Sequence, residues 1–330
     1  MCSYFLALFI LFEVGLANSE WSKTIGNKKF SSSTITVDQS GHGNFSTIQA
    51  AIDSIPSNNK NWVCIRIKAG IYREKIKIPS DKPHIILKGR GKRKTHVVWG
   101  DHESISQSPT FASFADHIVV KSMSFTNSYN HPVNSKPRKP AVAAMISGEN
   151  SMFFRCGFFG LQDTLWDDQG KHYYYLCTIQ GAVDFIFGGG QSLFERCSIS
   201  VLGGALGPGV SGYITAQART NLNDPSGFVF KNCHVHGTGS TFLGRPWRAF
   251  SRVLFYNTNF SVSVVPQGWD PWRYAGQEYQ LTFAESGCFG EGYETSQRVK
   301  WEKKLTPQTL KQLTSLSFID DQGWLQNQPF

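Results

Sequence analysis

Three features of the chain predict an all-β fold, a single-stranded parallel β-helix in which short strands stack coil upon coil. First, a tetrapeptide recurs as Phe153-Phe154-Arg155-Cys156, Tyr174-Tyr175-Leu176-Cys177, Phe194-Glu195-Arg196-Cys197 and Phe230-Lys231-Asn232-Cys233, at spacings of 21, 20 and 36 residues. Short strands at a period of roughly 20 to 25 residues, with occasional insertions, are the signature of a solenoid. Second, aromatic or β-branched runs of the same kind occur at 117–125 and 253–257, all too short for helices. Third, the intervening segments 157–173 and 178–192 are rich in Gly and β-formers, so they cannot supply the helical crossovers that a βαβ sheet needs.

The elements follow in order. Residues 1–17 carry an apolar run, Tyr4 to Phe12, then Gly15-Leu16-Ala17, the pattern of a signal peptide cleaved after Ala17. That run is too short to span a membrane. Residues 18–34 form a short extension, and 35–330 read as one domain because no low-complexity linker divides them. The segment Phe45 to Ile55 is apolar at 48, 51, 52 and 55, which predicts a helix placed to cap the open end of the solenoid, where core would otherwise be exposed. The tail from Leu305 to Leu316 is a second helix candidate.

The formal charge is +9, and loss of Glu13 with the signal makes it +10. A basic surface concentrates polyanions, and export selects an acidic polysaccharide over nucleic acid or membrane lipid. Asn44-Phe45-Ser46 and Asn259-Phe260-Ser261 are glycan-acceptor triplets. Cys2 leaves with the signal, and the six cysteines that stay (64, 156, 177, 197, 233 and 288) permit disulfides without requiring them, since a chain this long buries a full core.

The repeat also brings two acids together. Asp163 follows Cys156 by seven residues and Asp184 follows Cys177 by seven, while Gly160 and Gly181 each follow by four. Matching positions on adjacent coils lie roughly 4.8 Å apart. Two carboxylates that close resist double ionisation, leaving one acid and one base unless a cation intervenes. Such a pair suits hydrolysis of an ester or a glycosidic bond, and equally suits two turn-capping residues at the coil corners. Other constellations carry less. The chain has no Gly-x-Ser-x-Gly elbow, and His234 and His236 alternate on a strand without a third metal ligand in sight. Gly41-His42-Gly43 and Arg66-Ile67-Lys68 look like polygalacturonase fragments, but both precede the repeat and the Asp167-Asp168 pair.

Four ordered motifs, Gly70-Ile71-Tyr72-Arg73-Glu74, Gln162-Asp163-Thr164-Leu165, Asp184-Phe185-Ile186-Phe187-Gly188 and Leu243-Gly244-Arg245-Pro246-Trp247, give the chain from about 35 to about 303 a resemblance to the plant pectin methylesterases, of the short kind without an inhibitor-like pro-region. The resemblance implies a right-handed parallel β-helix, a cleft for homogalacturonan, no cofactor and no metal. By motif, Asp184 would be the nucleophile, Asp163 the proton donor and then the base, Arg245 the cation that orients Asp184 and keeps it ionised, and Gln162 the oxyanion-stabilising amide. Trp247 would be a wall for a galacturonate ring, with Arg245, Phe187, Trp269 and Thr110 as further substrate contacts. The implied setting is a secreted monomer of the cell wall, acting on pectin and open to a separate proteinaceous inhibitor, with no nucleic acid or membrane as partner.

The chain departs from the family pattern at one site residue. Where the family has a Gln before its Ala-Val-Ala segment, this chain has Pro140. Proline has neither side-chain donor nor backbone N–H. Losing one oxyanion donor typically costs ~2.7 to 4 kcal/mol. The alternative reading is therefore a slow or silent pectin-binding homologue, and the rival enzyme class is a solenoid depolymerase, a pectate lyase or polygalacturonase. Trp99-Gly100-Asp101-His102 resembles a lyase motif but lacks surrounding calcium-ligating acids.

Overall fold

The computed structural model describes residues 32–133 and 136–329. The expected signal peptide, and all of the extension before residue 32, lie outside them. Among the described residues the chain winds through three parallel sheets of ten, eight and eight strands. One coil runs from Ser151–Phe154 in the first sheet through Gly157–Phe159 in the second to Leu165–Asp167 in the third, and the next coil begins at Lys171–Tyr175. Every strand pairs with its counterpart one coil on, which is the parallel β-helix expected from the repeat.

The recurring tetrapeptide has a physical explanation. Its first residue points into the core, so Phe153, Tyr174, Phe194 and Phe230 stack in a column that continues to Phe255, with ring centroids 4.9, 4.5, 4.7 and 4.5 Å apart. Each such contact adds about 0.5–1.5 kcal/mol beyond area burial. The third residue turns the corner: Arg155, Leu176, Arg196 and Asn232 have φ of 52, 55, 52 and 54°. The cysteine then points inward, and the thiols of Cys177, Cys197 and Cys233 each donate to a carbonyl 3.3 Å away on the preceding coil. All six described cysteines are free thiols, so none of the permitted disulfides forms.

Both predicted helices are present. The first is Ile48–Asp53, with Thr47 as N-cap and Ile48, Ala51 and Ile52 buried. It starts later than Phe45 because the Phe45 backbone pairs with the first strand, its carbonyl accepting from Asp38 N and its N–H donating to Thr36 O. Glu74 caps the helix, its two oxygens accepting from Ile48 N and Gln49 N at 2.9 Å each, an anion placed at the positive end of the peptide dipoles. The second helix, Pro307–Thr314, leads into a tail whose Leu313, Phe318, Ile319, Trp324 and Leu325 pack on the outer face of the first sheet, against Ile86, Val119, Met152 and Leu193. That covering layer is why the strands of this sheet are apolar on both faces. Among the described residues, no helix is long and apolar enough to cross a membrane.

Candidate active site

The corner between the second and third sheets carries the paired acids. The strands before it pair Gly157 with Thr178, and the strands after it pair Leu165 with Ile186, so the 21-residue offset is kept through the turn. Gln162 bridges Val183, and Asp163 N donates to Val183 O at 3.0 Å. Asp163 therefore sits directly over Asp184. Both have positive φ, 59° and 47°, a conformation that Asp tolerates better than most residues. Gly181 is required for close approach here, because a Cβ on it would come within 2.2 Å of the Phe185 Cβ.

The two acids have different surroundings. Asp184 is gripped by Arg245, whose Nε and Nη2 donate to its two carboxylate oxygens at 2.9 and 2.5 Å. The guanidinium is itself clamped between the rings of Tyr213 and Trp272, 4.1 and 4.3 Å from their centroids. Asp270 braces both walls, accepting from Tyr213 Oη and from Trp272 N at 2.7 Å each. Planar stacking combined with a bidentate fork suits arginine and not lysine. Asp163 is only 7 % exposed and has no such partner among the described residues.

Burial, followed by the charge of Asp184, pushes the Asp163 carboxyl up to about 8, with Arg245 pulling the other way. Burial also raises Asp184, but the hydrogen bonds and charge of Arg245 oppose that rise. With the arginine bound to one acid and not the other, the shared proton belongs on Asp163 and the negative charge on Asp184. Near neutral pH this stacks a protonated carboxyl on a carboxylate held by the arginine.

An aromatic surface flanks the acids. Trp166 and Phe187 occupy matching positions on adjacent coils, 5.5 Å apart and stacked, and Trp247 meets them at 6.5 and 5.7 Å. Trp247 and Trp166 are half-buried, whereas Phe187 is buried beneath them. Two expected substrate contacts are corrected. Trp269 is 1 % exposed and stacks on Phe283 at 4.6 Å inside the solenoid, because its backbone bridges Gly244 and turns the ring inward. Thr110 is fully buried, and its hydroxyl donates to Thr126 O at 3.1 Å.

Sequence reasoning missed Trp166, Tyr213, Asp270, Trp272 and Arg138. Trp166 had a usable signal, since it lies 21 residues before Phe187. The others come from longer segments where the period offers no guide. Gln162 is half-buried, and its Oε1 accepts from Arg138 Nε at 3.1 Å.

Several other sequence features have structural roles. Asp167 is fully buried and bonds His172 at 2.6 Å, and Asp168 accepts from Ser147 Oγ. His236 and His234 each bond a serine hydroxyl, Ser198 and Ser261. The two fragments resembling polygalacturonase meet in one groove, whose lining among the described residues includes His42, Arg66, Lys68 and Arg90 and no carboxylate, the acid that glycoside hydrolysis needs.

Residues 34–322 match the family model described as Pectinesterase. Over 299 residues the chain is 60 % identical to Probable pectinesterase 29 of Arabidopsis thaliana, covering 89 % of each chain. It is likewise 60 % identical over 299 residues to Probable pectinesterase 55 of the same plant, covering 89 % of this chain and 91 % of the other. Among solved structures, pectin methylesterase from carrot superposes with a TM-score of 0.81 at 29 % identity, covering 90 % of this chain and 96 % of that one.

Proposed function

This chain belongs to the pectinesterase family, and on that premise we propose that it hydrolyses the methyl esters of homogalacturonan, releasing methanol and leaving pectate. The observation that carries the reading is the asymmetric acid pair: Asp184 held by Arg245 at 2.9 and 2.5 Å, and Asp163 stacked beside it with no cation bonded to it among the described residues.

In this mechanism an Asp184 oxygen attacks the C6 carbonyl carbon of a methylated galacturonate. The carbonyl π electrons move to its oxygen, and the side-chain NH2 of Gln162 donates to the oxyanion. As the tetrahedral intermediate collapses, the carbon–methoxy bond breaks and Asp163 gives its proton to the departing oxygen, forming methanol and an anhydride on Asp184. Asp163, now a carboxylate, takes a proton from water as that water attacks the former substrate carbonyl. Cleavage of the anhydride restores ionised Asp184 and protonated Asp163 and frees the galacturonic acid, whose carboxyl then gives its proton to solvent. Arg245 supports the cycle by stabilising the charge on Asp184 at its start and end. Trp247 and Trp166 offer ring faces to the sugar.

The same reading includes export by cleavage after Ala17, a pectinesterase-like domain over 35–330, action in the cell wall, and Asn44 as the more accessible glycan acceptor. Asn44 is exposed, whereas Asn259 lies within a strand. Pro140 favours one alternative, a pectin-binding homologue without turnover.

The test is methanol release from highly methylated pectin by the chain from residue 18, beside Asp184→Asn, with viscosity followed in the same sample. Methanol that depends on Asp184 at unchanged viscosity is expected. Folded, pectin-binding protein that releases no methanol would select the silent homologue, and a rapid fall in viscosity would select a depolymerase.

A further inference from the structure

Pro140 removes a donor from the site, and the segment containing it supplies another group. Ala141 N donates to Gln162 O at 3.2 Å, so residues 138–140 run directly beside the coil that carries Gln162 and Asp163. Two residues before Ala141's neighbour Pro140, Arg138 reaches back with its Nε 3.1 Å from Gln162 Oε1.

That contact fixes the orientation of the amide. An arginine has only donors, so the end of the Gln162 amide facing it must be the oxygen. The NH2 group is then turned away from Arg138, and no protein group among the described residues accepts from it. An unclamped primary amide can present either end to a ligand, and the wrong end would set oxygen against a developing oxyanion. A bond from a cation to the carbonyl end also polarises the amide, making its N–H groups stronger donors.

We propose that Arg138 is a positioning residue for ester hydrolysis: it locks the Gln162 amide with its NH2 free for the oxyanion and so compensates for the donor missing at Pro140. This inference rests on the active-site reading above. Arg138 does not touch the reacting atoms; it acts through Gln162.

The experiment compares methanol release by wild-type, Arg138→Ala, Arg138→Lys, Gln162→Ala, the Arg138→Ala/Gln162→Ala double variant, and Pro140→Gln placed in the Arg138→Ala background. Arg138 is exposed, so the thermal midpoint should not move on its removal. Arg138→Ala should lower kcat about ten- to hundred-fold with KM little changed, less than the ~10²- to 10³-fold typical of losing an oxyanion donor outright. Arg138→Lys should recover part of the loss, because an ammonium still donates to the amide oxygen. The double variant should be no slower than Gln162→Ala alone, since the arginine has nothing left to orient. Pro140→Gln should restore turnover to Arg138→Ala.

A kcat for Arg138→Ala within twofold of wild type overturns the proposal, as does a double variant whose loss is the product of the two single losses. Failure of the underlying reading has a different signature. If Asp184→Asn keeps its methanol release, or the wild-type chain releases none, the site assignment falls and this inference with it. If Asp184→Asn is inactive while Arg138→Ala is unimpaired, only the role of Arg138 falls.

Discussion

Replacing Asp163 by Asn should stabilise the folded protein as it abolishes turnover, and the size of the gain should depend on pH. The folded carboxyl is held at about 8, against an ordinary value of 3.8. An acid whose folded pKa is raised binds its proton more tightly in the folded state, so its cost to stability is absent below about pH 4 and grows until the pH reaches about 8. Each unit of difference is worth about 1.36 kcal/mol, so roughly three units between the ordinary value and pH 7 amount to about 4 kcal/mol. The side chain is 7 % exposed, so solvent does little to screen this. Asn is nearly isosteric, tolerates the φ of 59° at this corner, and cannot ionise.

Chemical unfolding of both proteins at pH 4, 5.5, 7 and 8 would give curves that converge at the acid end and separate by about 4 kcal/mol at pH 7. This measurement also separates the two readings of the paired acids. A turn-capping aspartate would contribute stability, so its replacement would be neutral or destabilising at every pH. A pH-independent difference, or an Asn variant less stable at pH 7, would refute the argument that Asp163 is a destabilised catalytic acid.

Two further outcomes follow from the same geometry. Turnover should fall on the alkaline side, with log kcat losing one unit per pH unit above about pH 8 as Asp163 gives up the proton that methanol needs; an alkaline limb at least two units higher in a pH–rate profile would assign the donor elsewhere. Arg245→Lys keeps the charge but loses the fork to Asp184 and the fit between Tyr213 and Trp272, so kcat should drop about ten- to hundred-fold, in line with ~1.5–3 kcal/mol for a hydrogen bond to a charged group; a loss under threefold would mean that charge alone suffices.

Much of the architecture was legible because a solenoid converts sequence distance into spatial contact. In stacked coils, residues one period apart are neighbours, so counting from Cys156 and Cys177 was enough to place Asp163 over Asp184 and to put Phe153, Tyr174, Phe194 and Phe230 in one column. The capping helix was readable from its apolar spacing, although its start was not, since the Phe45 backbone is claimed by the first strand. The same rule would have revealed Trp166 beside Phe187.

What the sequence by itself determined, then, is whatever repeats: the coil, its corners, the core column and the pair of acids. The motif resemblance named Arg245 as the cation for Asp184, and tertiary structure alone decided what holds that arginine in place. Arg245 lies 61 residues beyond Asp184 and is sandwiched by rings from two different segments, Tyr213 and Trp272. Trp269 and Trp272 are three residues apart, yet one is packed in the core and the other covers the arginine. The bond from Arg138 to Gln162 comes from an irregular segment outside the strands. Periodicity specifies positions on a regular lattice of coils, whereas the conformation of an insertion depends on where its backbone finds hydrogen bonds and its side chains find cover, and those partners exist only once the coils have stacked.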